Sequence, residues 1–243
     1  MQKHILVLLS LFFTTVSWAQ LKTDSIPPAK TKTKKTTANK EELERKDQFL
    51  MDLNYETFIF TDDPDGVDFR WYNRGFNAQA MYDYHVVKNR FTIGIGVGFS
   101  TQNYYGNGYL KKVKNEEDGE FYTEWTARED MYKTNKLSVN HLEIPLELRY
   151  RSNIRPSGYQ WKLTVGVKYG YMINIHDKLV DNDGNKYKTY NFSDVSDYRY
   201  GFLVRAGYGK VNLTAFYSMQ PFIKDGKGSQ MNQLSIGIGV TPF

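Results

Sequence analysis

From Phe91 to Phe99, and again from Leu234 to Thr241, a large apolar residue stands at every second position, with Gly, Ser or Thr between. Side chains alternate across a strand, so each segment has one face of hydrocarbon and one that is almost bare. A half-buried strand of a soluble sheet meets water with Lys, Glu or Arg. Small residues predict a crowded second face instead. The bore of a narrow membrane barrel, greasy outside and tightly curved inside, meets that requirement.

The same alternation extends to eight strands from Phe49 onward. The outward series of the others are Leu53, Tyr55, Thr57 and Ile59; Phe76 to Val86 at every second position; and Leu142, Ile144, Leu146, Leu148 and Tyr150. They continue with Trp161 to Ile175, Tyr198 to Tyr208 and Val211 to Met219, again at every second position. Connections alternate long and short, with the longest between Gln102 and Lys136 and the shortest at Lys88-Asn89 and Gly209-Lys210. Outer-membrane barrels keep short turns in the periplasm and long loops outside. The expected fold is therefore all-β: an eight-stranded antiparallel up-and-down transmembrane barrel over 49–243, in the bacterial outer membrane, with both termini periplasmic. Tyr82, Tyr84 and Trp161 near strand ends suit interfacial girdles. A lipocalin-like soluble barrel would turn its apolar face inward and need a charged outer face, which the two opening segments lack.

The N-terminus reads as an export signal over 1–19, with Lys3 as the basic region, Ile5 to Val16 apolar, and Ser17-Trp18-Ala19 as a cleavage site. Residues 20–48 read as a flexible basic periplasmic tether, with few apolar residues to offset ordering entropy. Of the formal charge of +5, Lys3 carries one and residues 20–40 a net five, which leaves the rest at −1. The basic balance belongs to the tail, so nucleic-acid binding by the folded part has no support. The chain has no cysteine, which excludes disulfides, thiolate ligands and N-terminal lipidation on cysteine. No cofactor is expected.

Eight strands make a bore that side chains fill. Glu143, Glu147, Arg149, Lys162, Lys168, Arg199 and Arg205 fall on the inward face of neighbouring strands. Mixed in sign, they are expected to form a salt-bridged plug. The alternative is a gated path for small solutes.

The segment His141-Leu142-Glu143-Ile144-Pro145-Leu146-Glu147-Leu148-Arg149-Tyr150 resembles the hallmark Leu-Glu-Ile-Pro-Leu-x-Leu-x-Tyr strand of the PorT-like outer-membrane β-barrel family. The resemblance covers about residues 49–243 and implies the barrel fold. It also implies an association with bacteria that use type IX secretion and gliding, in which one family component takes part. Proline removes a ladder hydrogen bond, so a kink or bulge is expected at Pro145. The C-terminal aromatic Phe243 suits recognition by the barrel-assembly machinery, although it is out of phase with Leu234, Ile236, Ile238 and Val240 unless Pro242 resets the alternation.

Chemistry at the rim is the second class of function. His141 and His176 read as inward residues near the outer end, with Ser138, Glu143 and Asp177 nearby, which is the raw material of a lipid hydrolase or acyltransferase. Pairing centred at 154–155 sets His141 opposite Lys168 and His176 opposite Lys133, too far apart to cooperate. Asp181-Asn182-Asp183-Gly184 and Asp62-Asp63-Pro64-Asp65-Gly66 lack the spacing of a calcium loop and read as turns. The longest loop carries an acidic run, Glu116 to Asp118 with Glu120. Around that run stand Tyr104, Tyr105, Tyr109, Phe121, Tyr122 and Trp125, a composition suited to partner contact or to a lid on the mouth. Its ends, Gly106 to Gly108 and Glu120 to Thr126, could also prolong the flanking strands. The expected role is a non-enzymatic structural or accessory component of an envelope complex. Its partners would be outer-membrane lipid and other envelope or secretion-complex proteins, reached through this loop or the tether.

Overall fold

The computed structural model describes residues 47–61, 64–87, 90–114, 119–129, 131–155, 159–190 and 192–241, all within one compact unit, Asn39–Phe243. The export signal, the tether as far as residue 46, the acidic run Glu116 to Asp118 and the Pro242-Phe243 end lie outside the described residues.

Eleven strands follow in chain order: β1 (Asp47–Phe60), β2 (Arg74–Val87), β3 (Phe91–Tyr105), β4 (Gly108–Lys114), β5 (Phe121–Ala127), β6 (Tyr132–Arg151), β7 (Trp161–Asp181), β8 (Lys186–Thr189), β9 (Tyr198–Tyr208), β10 (Val211–Pro221) and β11 (Met231–Val240). Eight of them close a barrel in the order β1-β2-β3-β6-β7-β9-β10-β11, with β11 pairing back onto β1 and every neighbour antiparallel. Closure leaves no unpaired strand edge at the height where lipid offers no hydrogen bonds.

The alternation read from the sequence is the wall of this barrel. Ile93, Ile95, Val97, Leu142, Ile144, Leu146, Val165, Val167, Phe202, Val204, Leu213, Ile236 and Ile238 are exposed on the outside. Aromatic rings end the apolar band: Phe91 against Tyr150, and Trp161 and Tyr159 against Tyr208, at the short-turn end. Tyr169 lies against Tyr198 at the other end. Trp161 to Tyr171 spans ten residue steps, about 33 Å along the strand and about 25 Å in height at a tilt near 40°. That matches the apolar band of an outer-membrane barrel.

Three local expectations are corrected. First, no register shift falls at Pro145, which stays paired with Lys168. Instead the β3–β6 ladder has a gap between Ile95↔Leu146 and Gly98↔Glu143, on the side where the proline offers no N–H. Secondly, the β6–β7 turn closes later than 154–155, with Ser152 N–H donating to Trp161 O at 2.9 Å. His141 therefore faces Met172 rather than Lys168, and His176 faces Ser138 rather than Lys133. Thirdly, the register jumps between Asn140↔Asn174 and His141↔Met172, so Ile173 is an extra residue on β7. That bulge reverses the phase above it, turning Ile175 into the interior and His176 outward.

Beyond the apolar band the long-loop end builds a second layer. Residues 102–105 and 132–136 of the longest loop prolong β3 and β6, but its next segments do not: β4 and β5 leave the barrel wall as a hairpin of their own. β8 adds to the top of β7 through a turn in which Asn185 N–H donates to Asp181 Oδ1 at 2.8 Å, and Gly184 takes φ 88°. Asp181 to Gly184 is thus the turn its composition suggested.

Candidate functional site: a filled bore under a capped mouth

The interior residues of β6 supply the middle of the bore, and glycines on both neighbours make room for them. Glu143 lies opposite Gly98 and Gly170, and Glu147 opposite Gly94 and Gly166. Five acids, Asp52, Glu56, Asp83, Glu143 and Glu147, and five bases, Arg149, Arg151, Lys168, Arg199 and Arg205, are buried there. Equal numbers of each sign let a desolvated interior approach neutrality, which buried charge requires.

The charges form two tiers. Nearer the short turns, Asp83 takes Arg149 at 2.6 Å on one oxygen and Arg151 at 2.7 Å on the other. Arg149 also reaches Glu147 at 2.7 Å. Arg205 bridges to Asp52 at 3.0 Å and donates to Gln79 Oε1 at 3.0 Å. Higher up, Glu143 binds Arg199 at 2.6 Å and Lys168 at 3.0 Å, and accepts from Ser100 Oγ at 2.9 Å. Both cations lie over the ring of Phe216, at 4.1 Å for Lys168 and 5.1 Å for Arg199. Glu56 accepts from Ser235 Oγ at 2.6 Å.

Of the seven charges expected in the bore, six therefore sit in these tiers. Lys162 stands apart at the short-turn end, half-buried, opposite Arg151 and Gly207. Asp52, Glu56, Asp83 and Arg151 were missed as members. Arg151 simply continues the phase of Glu147 and Arg149 by one step, and Asp83 stands on the polar face of its strand, so the signal was present.

Above the upper tier the interior turns apolar. Arg199 donates to Gln233 Oε1 at 3.1 Å, and Gln233 donates to the Tyr104 hydroxyl at 2.9 Å. The Tyr104 ring stacks on Phe58 at 4.2 Å. From there Phe58, Leu110, Trp125, Leu137, Val139, Ile175, Val195, Phe222, Ile223 and Met231 form one buried cluster, closing the mouth with strand tops, the β4–β5 hairpin and the loops around 195 and 223.

The hairpin is tied down at several points. Trp125 Nε1 donates to Met231 Sδ at 3.0 Å, Thr123 Oγ1 to Asp194 Oδ2 at 2.5 Å, and Lys112 Nζ to Ser193 Oγ at 2.6 Å. Arg128 lies over Tyr109 at 4.2 Å and pairs with Asp177 at 2.7 Å.

This cap corrects part of the contact surface expected from the longest loop. Tyr104 and Trp125 are consumed inside the mouth cluster. Tyr109 supports Arg128, and Tyr105 lies on the outer wall beneath Arg74 and Lys136. Phe121 is exposed, and Tyr122 partly so. The two histidines are separated by the wall itself. His141 is buried inside, with Nδ1 3.0 Å from the Gln102 amide, whereas His176 faces outward, against Asn174 at 3.0 Å and the Tyr190 ring.

The family model described as "Outer membrane protein beta-barrel domain" matches residues 38–224. Among solved structures, the chain is similar to Ail, the attachment invasion locus protein of Yersinia pestis. Identity is 12%, over 81% of this chain and 97% of that chain, with a TM-score of 0.33. The same protein in complex with the heparin analogue sucrose octasulfate is similar at 11% identity, with the same coverage and TM-score. No curated protein matches the chain.

Proposed function

The chain belongs to the outer membrane protein β-barrel domain family, and we propose that within the bacterial outer membrane it is a closed, non-enzymatic structural or accessory component of an envelope complex. The observation that carries this reading is the bore. Nine buried charges in ion pairs, with Glu56 hydrogen-bonded to Ser235 beside them, lie beneath an apolar plug, an arrangement that fills the bore among the described residues. His141 and His176 face opposite sides of one wall, which argues against a shared role in acyl transfer.

The orientation that suits the loop pattern puts the short turns and both termini in the periplasm and the β4–β5 cap outside. Working contacts are then left to the exposed loop surface around Phe121 and to the basic N-terminal segment. The Leu142 to Tyr150 strand favours kinship with the PorT-like barrels and so an association with secretion machinery. Three measurements test the proposal. Planar bilayers containing the purified chain should show no ion conductance, and intact cells should lose the β4–β5 hairpin to external protease. Affinity purification from native membranes should recover envelope proteins that are lost on deleting residues 22–40 or on Phe121→Ala. Steady conductance would sink the closed-barrel reading, and partners indifferent to both changes would sink the accessory role.

A further inference from the structure

Three lysines stand side by side on three adjacent strands. Lys136 of β6 is directly opposite Lys178 of β7, which is directly opposite Lys188 of β8. Direct partners share a face and place their Cβ atoms about 5 Å apart, and like charges so placed are destabilising. The face is the outer one, because Ile175 and Asp177 on β7 point into the interior.

The carboxylates of the same strand are engaged elsewhere. Asp177 holds Arg128, and Asp181 is bound by Asn185. Among the described residues no ion pair neutralises any of the three amines; Lys136 donates only to Asn103 Oδ1, at 2.7 Å. The positive face continues along the wall, where Arg74 and Lys136 share the Tyr105 ring, and Lys186 lies two pairs beyond, opposite Val180. His176, on the same face, registers this field. Burial first, and then the charges of Lys188, Lys136 and Lys178, hold its imidazole below the ordinary value.

Position points to the counter-ion. Ile173 is the last exposed apolar residue on the outside of β7, and Lys178 lies five steps beyond it, about 13 Å higher at a 40° tilt. Long lysine stems can lower their amines toward the lipid surface. A row of cations that looks sideways over the bilayer, rather than into the bore, meets the headgroup layer.

We propose that Lys136, Lys178 and Lys188 form a binding site for the phosphate groups of a phosphorylated glycolipid headgroup in the leaflet at the long-loop end. Tyr190 and Tyr105 offer rings beside the sugar. The proposal rests on the outward orientation given above only for which leaflet supplies the lipid. Binding in nanodiscs does not depend on that orientation, so surface proteolysis and the following assay can fail separately.

The test compares the intact chain with Lys178→Gln and Lys178→Gln/Lys188→Gln. Each is placed in nanodiscs of zwitterionic lipid carrying bisphosphorylated lipid A, its dephosphorylated form, or neither. Without phosphate the substitutions relieve repulsion and should raise the Tm by about 2–4 °C. With the bisphosphorylated lipid they should lower it by a similar amount. This reversal of sign is what a merely solvated lysine face would not give. The His176 imidazole should titrate higher in the presence of the phosphorylated lipid, and the double variant should lose that shift. A Tm change of the same sign in all three lipids overturns the proposal. Stabilisation by inorganic phosphate alone that equals the lipid effect also overturns it, because the site would then take soluble anions. Equal stabilisation by phosphatidylglycerol would remove the glycolipid from the assignment and put the facing leaflet in question.

Discussion

Gly166 of β7 lies directly across from Glu147 of β6, and a Cβ built on it would stand 3.0 Å from the Glu147 Cα and 3.1 Å from its Cγ. The Leu146 carbonyl oxygen is nearer still. Glu147 in turn is held by Arg149, so the glycine and the salt-bridge plug are one structural decision. Backbone cannot retreat from a methyl group as a flexible side chain can. Gly166→Ala should destabilise the barrel by about 1–3 kcal/mol through overpacking, read as a lower urea midpoint in detergent or lipid. Gly184→Ala, in an open turn with nothing near its Cβ but φ at 88°, should leave the plug intact and affect only the β7–β8 turn.

Asp83 is the carboxylate on which two arginines converge, one on each oxygen, and Gln48 Nε2 also donates to it at 2.7 Å. Asp83→Asn would take the carboxylate from buried Arg151 and leave buried Arg149 with Glu147 alone. Breaking a buried pair from one side costs about 3–5 kcal/mol, so the variant should unfold well below the parent midpoint. Asp83→Asn combined with Arg151→Met removes one charge of each sign and should recover at least half of the loss. A double variant no better than the single would mean that the charges do not balance as a set.

The wall of this barrel was legible because its signal is local: period two, apolar outside, held over eight segments. Those strands, and their phase from Leu142 to Tyr150 or Tyr198 to Tyr208, needed no tertiary information. The register of β6 on β7 was not legible, since it depends on how 152–160 turns, and the chain offers no Asn-Gly or Asp-Gly there to fix it. The Ile173 bulge is invisible for a related reason. Ile173 and Ile175 continue the apolar alternation, yet Ile175 serves the mouth cluster rather than lipid, and both environments select isoleucine. Tyr104 and Trp125 misled in the same way, because aromatic residues suit a contact surface and an internal plug equally well.

The Thr123–Asp194 hydrogen bond makes closure of the cap depend on pH. Burial disfavours the Asp194 carboxylate, but the hydrogen bond from Thr123 and the charge of Lys112 outweigh it and hold its carboxyl below the ordinary aspartate value. A depressed carboxyl contributes stability that is complete above the unfolded-state value, about 4, and is lost as pH falls through the folded one. Hydrogen exchange of the Thr123 amide, which donates to Lys227 O at 2.6 Å, taken relative to the intrinsic amide rate at each pH, should therefore be constant above about pH 5 and accelerate as the solution is acidified below 4. Asp194→Asn should remove that acceleration. If the variant kept it, another carboxylate would control the cap.

Trp125 tests whether cap and barrel are separable. Its ring packs edge-on to Phe69 at 5.1 Å and its indole N–H reaches Met231 Sδ, so it anchors β5 to the cluster over the bore. Trp125→Ala should cost about 3–5 kcal/mol of local stability, most of what holds the hairpin down, while the paired tiers below, led by Glu143 with Arg199 and Lys168, touch none of it. Limited proteolysis of the variant should then cut within 108–127 and leave a barrel that still migrates faster on gels before boiling than after. The parent should be cut there only at the much higher protease load that strips the hairpin from intact cells. Conductance should remain absent, because the charged tiers still fill the bore. Channel activity in Trp125→Ala would show instead that the apolar cap, rather than the ion pairs, seals the barrel.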